Sequence, residues 1–153
     1  MLFILFQLGA DRYALAAGRV AEVLPLVALK ALPGAPAGVA GLMDYRGAAV
    51  PVVDLSALAL GRPAEARVST RVLVVRHGAD GGDGRLLGLI AERATGTIAL
   101  RPEDFQATGV ANDGARYLGP VAAHPGGLIQ RVELEALLTP GLRAALFPAE
   151  AGR

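Results

Sequence analysis

Residues 41–55 read Gly41-Leu42-Met43-Asp44-Tyr45-Arg46-Gly47-Ala48-Ala49-Val50-Pro51-Val52-Val53-Asp54-Leu55. An Arg-Gly pair, Arg46-Gly47, separates two apolar stretches, Leu42 to Tyr45 and Ala48 to Val53, each of strand length. Gly adopts positive φ without steric cost, so Gly47 predicts a tight reversal between them. Arg46 then stands at a strand end beside a turn, where a long cation reaches a neighbouring element or a partner. Pro51 and Asp54 punctuate the second stretch.

Working outward, Leu2 to Leu8 is β-like, and Gly9-Ala10-Asp11 turns it into Tyr13 to Ala16 as a hairpin. Arg19 to Leu29 contains Pro25, which predicts a short helical turn near Val20 followed by an edge strand. Leu32 to Val39 is a Pro- and Gly-rich loop. Beyond the quoted segment, Leu55 to Leu60 is a short helix closed by Gly61-Arg62-Pro63, and the small, polar Pro63 to Ser69 is the candidate linker. Arg71 to Arg76 and Arg85 to Ile90 flank a glycine-rich stretch and predict a hairpin with a flexible tip. Ala91 to Leu100 continues as a further strand, bulged at Gly96. Arg101 to Gly114 is a polar loop. Tyr117 to Ala123 and Leu128 to Val132 form a closing hairpin around His124-Pro125-Gly126-Gly127. Glu133 to Leu138 is a short helix stopped by Thr139-Pro140-Gly141, and the tail docks through Leu142, Leu146 and Phe147.

The chain of 153 residues is 53% hydrophobic but only 5% aromatic, with no Trp, so its core is built from Val, Leu, Ile and Ala. Fifteen basic and fourteen acidic residues leave a net charge of +1 without charge blocks, which gives no field for nucleic acid or an anionic membrane. No Cys is present, which excludes disulfides, zinc-thiolate sites and thiol catalysis. The apolar N-terminus lacks a basic flank and a cleavage site, and no stretch reaches a membrane-spanning length. The expected location is cytoplasmic, with no direct membrane insertion.

Converging chemistry is scarce. His77 and His124 have no metal-ligand spacing, and Ser56 and Ser69 lack a nucleophile-elbow context. Glu103-Asp104 follow Pro102 and read as the start of a helical turn. Gly78 to Gly84 precedes a strand rather than a helix, so it is no phosphate loop, and no Glu closes it as a calcium loop. The expectation is no catalytic residue, no metal site and no cofactor.

About ten short strands punctuated by Gly and Pro predict a mainly β chain of small barrels. The segment 41–55 resembles the signature of the CheW-like family, G-V-x-N-L-R-G-x-x-x-P-V-x-D-L. It agrees at Gly41, Arg46, Gly47, Pro51, Val52, Asp54 and Leu55, and departs at Asp44, where the family carries Asn, and at Tyr45, where it carries Leu. Val20-Ala21-Glu22-Val23 is similar to a second family element, V-x-E-V/I. Leu87 to Leu100 is similar to a third, with Gly88 matching, Glu92 in place of Asp and Ala94 in place of Val.

The resemblance implies two five-stranded SH3-like barrels packed on a shared apolar core, with short helices. They would form one domain over residues 1–140, dividing near residues 62–70, with a tail at 141–153. It implies a non-enzymatic adaptor that couples the cytoplasmic tip of a chemoreceptor to a CheA-type histidine kinase, reaching the membrane only through receptor arrays. The residues it places at the receptor or kinase interaction are Val20, Glu22, Gly41, Arg46 and Gly47. Glu22 and Arg46 would pair near the groove between barrels, with Asp44 competing for Arg46. Asp44 and the tail are similar to coupling proteins of Wsp-type alternative pathways. The rival reading is a β-barrel small-ligand-binding module, which needs polar groups converging inside a barrel where these strands offer Ala, Val and Leu.

Overall fold

The computed structural model describes residues 1–77, 85–108, 117–137 and 139–147. Its strands are β1 (Leu2–Leu8), β2 (Asp11–Ala16), β3 (Val20–Pro25), β4 (Val39–Tyr45), β5 (Ala48–Asp54), β6 (Arg71–His77), β7 (Arg85–Ala99), β8 (Phe105–Gln106), β9 (Leu118–His124) and β10 (Gly127–Val132). Helix α1 (Leu55–Leu60) follows β5, and α2 (Pro140–Leu146) ends the described chain. Among the described residues, the 3-10 turns Ala17–Arg19, Pro102–Asp104 and Leu134–Ala136 link strands and helices.

The strands fall into two barrels that share β7. In the first, β7 pairs β1, β1 pairs β2, β2 pairs β10, β10 pairs β9 and β9 pairs β8. In the second, β3 pairs β6, β6 pairs β7, β7 pairs β5 and β5 pairs β4. Lys30, just beyond β3, exchanges both backbone hydrogen bonds with Leu42 of β4 at 2.7 and 2.9 Å, which closes the second ring.

Strand alternation sorts the apolar side chains into three layers. Phe3, Ala14, Ala16, Leu100, Ala122 and Ile129 fill the first barrel. Met43, Val50, Val52, Val72, Val74 and Ile90 fill the second. Their neighbours along the strands, among them Phe6, Leu15, Val53, Leu73, Leu87 and Leu89, form the layer between the barrels. Gly88 faces the second interior, where a Cβ would press on Val52, Val72 and Met43. Leu142 and Phe147 of the tail join the shared layer, as the sequence leads one to expect.

Several expectations need correction. Residues 62–70 do not divide the barrels: β5 before them and β6 after them both pair β7. The segment is fastened in place by Asp54 Oδ2, which accepts the Ala64 amide at 2.9 Å, and by Glu92 Oε1, which accepts the Glu65 amide at 3.0 Å. Residues 85–99 are one strand of 15 residues rather than two. Its irregularity lies ahead of Gly96: from Leu5 to Gln7 is two steps on β1, while their partners Gly96 and Glu92 are four apart on β7. Arg93 takes up the excess at φ 51, and the Ala94 amide turns to the Ser69 carbonyl at 3.0 Å. Thr139-Pro140 starts a helix rather than only ending one, because Thr139 Oγ1 caps the Leu142 amide at 3.2 Å and Pro suits the first turn. The glycine-rich tip at 78–84 lies outside the described residues.

Candidate functional site

The reversal between β4 and β5 carries the cluster. Arg46 and Gly47 both have positive φ, 53° and 86°, the pattern of the hairpin turn whose twist matches the flanking strands. The sequence points to Gly47 alone; a non-glycine residue in this region is uncommon, and here it is the signature arginine. Asp44 Oδ1 accepts the Gly47 amide at 2.9 Å, which locks the reversal. The expected competition of Asp44 for Arg46 is therefore corrected: this carboxylate serves the turn.

Arg46 instead reaches across to β3, where its Nη2 lies 2.9 Å from Glu22 Oε1. The same oxygen accepts the Tyr45 hydroxyl at 2.7 Å, and the Arg46 guanidinium lies over the Tyr45 ring at 5.2 Å. Glu22 reaches this point because a register shift between Val20 and Glu22 sets it opposite Val74, whose side chain faces the second barrel's interior. Residues opposite one another share a face, so Glu22 turns toward that barrel's end. Arg46 remains 75% exposed at its side chain and Glu22 33%, so the pair contributes under about 1 kcal/mol to stability. The Glu22 hydrogen bond and partial desolvation raise the Tyr45 phenol above its ordinary pKa, against the pull of Arg46.

The five residues expected at the interaction divide accordingly. Glu22 and Arg46 meet, and Gly47 completes the β4–β5 turn that presents Arg46. Val20 pairs with Val75 and packs against the layer between barrels. Gly41 is buried at φ 146, and a Cβ there would collide with the Lys30 carbonyl. Its glycine is what lets the second barrel close. Tyr45 is the member that sequence reasoning missed; the signal was its departure from the signature at a strand end, where a phenol can reach across the barrel.

A separate open groove between the barrels is lined by Val23 and Arg71 of the second and by Ile4 and Ala94 to Thr97 on β1 and β7. Val23 neighbours Glu22 on β3, but successive residues face opposite ways, so the ion pair turns away from the groove. At the first barrel, Arg131 caps the interior, its guanidinium 5.3 Å from the Phe3 ring and 5.9 Å from Phe105.

Ser56 is fully buried and donates to Glu92 at 3.1 Å. His124 Nδ1 lies 3.1 Å from the Pro125 carbonyl and 3.4 Å from Arg12. Asp104 accepts the Arg101 amide at 2.8 Å, which holds its carboxyl below the ordinary range. Among the described residues, no group of three His, Asp or Glu stands together as metal ligands. No described helix is long and apolar enough to cross a membrane.

Two apolar-filled barrels joined through an apolar layer, with a charged turn on the outside, define a double-barrel β protein. The chain belongs to the CheW-like domain family, whose model matches residues 2–140. It is 29% identical over 136 residues to the chemotaxis protein CheW of Rhizobium meliloti (strain 1021), covering 88% of this chain and 84% of that one. It is 30% identical over 104 residues to the chemotaxis protein CheW of Helicobacter pylori (strain ATCC 700392 / 26695), covering 67% and 59%. The crystal structure of the scaffolding protein TtCheW from Thermoanaerobacter tengcongensis superposes with a TM-score of 0.78 at 21% identity, over 90% of this chain and 87% of that one. That likeness carries the two SH3-like barrels. The protein is thus a CheW-like scaffold of the chemotaxis type.

Proposed function

We propose that this protein is a non-enzymatic adaptor that holds the cytoplasmic tip of a chemoreceptor and a CheA-type histidine kinase in one assembly. The observation that carries the reading is the β4–β5 turn of a CheW-like chain: an exposed arginine whose position is fixed by Glu22, by the Tyr45 ring and by a turn locked through Asp44. A charge presented this way costs little to the fold and is pre-organised for a partner. Glu22, Arg46 and Gly47 form the contact, while Gly41 and Val20 support the strands behind it. Coupling then consists of holding receptor and kinase in one geometry, so that a shift in the receptor biases the kinase between states. Such an adaptor works in the cytoplasm, at the membrane only through its receptor. The ligand-binding barrel loses support because both interiors are filled with apolar side chains.

The test is reconstitution of kinase autophosphorylation with a soluble receptor signalling fragment, with and without the protein. Receptor control of the kinase should require the protein and fail with Arg46→Ala at a melting temperature within a few degrees of the parent's. Receptor control that is equal without the protein would overturn the proposal.

A further inference from the structure

We infer that Tyr45 is a positioning residue for partner recognition, holding Glu22 and Arg46 in the one arrangement that binds. This rests on the reading of the β4–β5 turn as the contact. Glu22 on β3 and Arg46 in the β4–β5 turn lie 24 positions apart in sequence and are joined by one ion pair, exposed on the Arg46 side. An exposed pair of long side chains samples many rotamers and is weakly ordered by its own attraction. Tyr45 changes that in two ways at once.

Its hydroxyl donates to the same Oε1 that receives Arg46, at 2.7 Å against 2.9 Å, so the carboxylate is held by two donors from adjacent residues. Its ring lies beneath the Arg46 guanidinium at 5.2 Å, which orients the planar cation. A tyrosine suits both tasks because it has only two side-chain torsions to fix, and its ring packs against the second barrel's interior. Arg46 and Tyr45 point to the same carboxylate despite being sequential because Arg46 lies in the left-handed region, which turns its side chain back over the strand end.

Tyr45→Phe removes the hydroxyl and keeps the ring. Its melting temperature should match the parent's within a few degrees, while its affinity for a soluble chemoreceptor fragment, measured by calorimetry, should fall about threefold to tenfold, the worth of one hydrogen bond. The loss should largely vanish in a Glu22→Ala background, because the hydroxyl acts through that carboxylate. Tyr45→Leu, which also removes the ring, should bind more weakly still. Equal binding by Tyr45→Phe and the parent, with Arg46→Ala defective, would refute the positioning role and leave the contact standing. Losses that multiply in Tyr45→Phe/Glu22→Ala would also refute it, since Tyr45 would then act independently of Glu22. Normal binding by Arg46→Ala would remove the contact itself, and this inference with it.

Discussion

Asp54 holds Ala64 across the end of the second barrel: Oδ2 accepts the Ala64 amide at 2.9 Å while Oδ1 caps α1 through the Ala57 amide at 3.1 Å. One nearly buried carboxylate thus fixes both a helix start and the segment that leads to β6. Replacing it with Ala should cost about 2–3 kcal/mol, a lost cap plus a second amide left unpaired. Asn keeps one acceptor oxygen and should recover about half. Urea unfolding of both variants checks the ranking.

The two signature glycines should respond differently. At Gly41 any Cβ meets the Lys30 carbonyl and the φ is unfavourable as well, so Gly41→Ala should cost about 3 kcal/mol or more. Around Gly47 there is open space, and only φ is at stake; Gly47→Val should cost about 1 kcal/mol and Gly47→Asn less. Thermal melts giving equal losses for Gly41→Ala and Gly47→Val would contradict this account of barrel closure.

The proposed role of Arg46 separates stability from recognition. Arg46→Ala should change the unfolding free energy by no more than about 1 kcal/mol, since Arg46 itself is largely exposed and Glu22 only half-buried. Loss of a charged contact at an interface costs about 2–5 kcal/mol, so assembly of receptor with kinase should fail at the same protein concentration. Arg46→Lys should restore assembly only in part, because an ammonium cannot reproduce the planar fork over the Tyr45 ring. Pull-downs beside circular-dichroism melts give both readouts.

Arg19 ties the barrels electrostatically. Its guanidinium pairs with Glu135, after β10 of the first barrel, and donates to the Arg76 carbonyl of β6 in the second at 2.9 Å. Burial opposes the charge on Glu135, but the Arg19 hydrogen bond, a backbone hydrogen bond and the attraction of Arg19 outweigh it and lower its pKa. A carboxyl lowered on folding stabilises the fold above its unfolded pKa, and that contribution is lost as pH falls through the folded value. Glu135→Gln should therefore melt below the parent at neutral pH, and the gap should close on acidification. A gap constant from pH 7 to pH 3 would exclude the linkage.

Local features of the fold were legible because they depend on neighbours in sequence. The Arg46-Gly47 reversal, the first hairpin and the bounds of α1 follow from glycine placement and a short apolar run. The segment 62–70 misleads because its small, polar residues resemble a linker, while the groups that hold it, Asp54 and Glu92, lie in strands on either side. The continuity of β7 is hidden by Arg93, where polar side chains interrupt the apolar pattern without ending the strand. Tyr45 reads as a departure from a motif until Glu22, far away in sequence, is brought beside it.

The shared strand also sets an order of events during synthesis. The β1–β2 hairpin is made early, yet its outer partners, the far half of β7 and β10, are synthesised much later. Likewise β3, β4 and β5 must wait for β6 and β7 before the second barrel has a complete wall. Neither barrel can close on the first half of the chain. Pairings this distant close large loops and form slowly, so strand edges stay open until β7 and β10 have been made. Threading one strand through both walls thus makes the closure of either barrel wait on the same late segment.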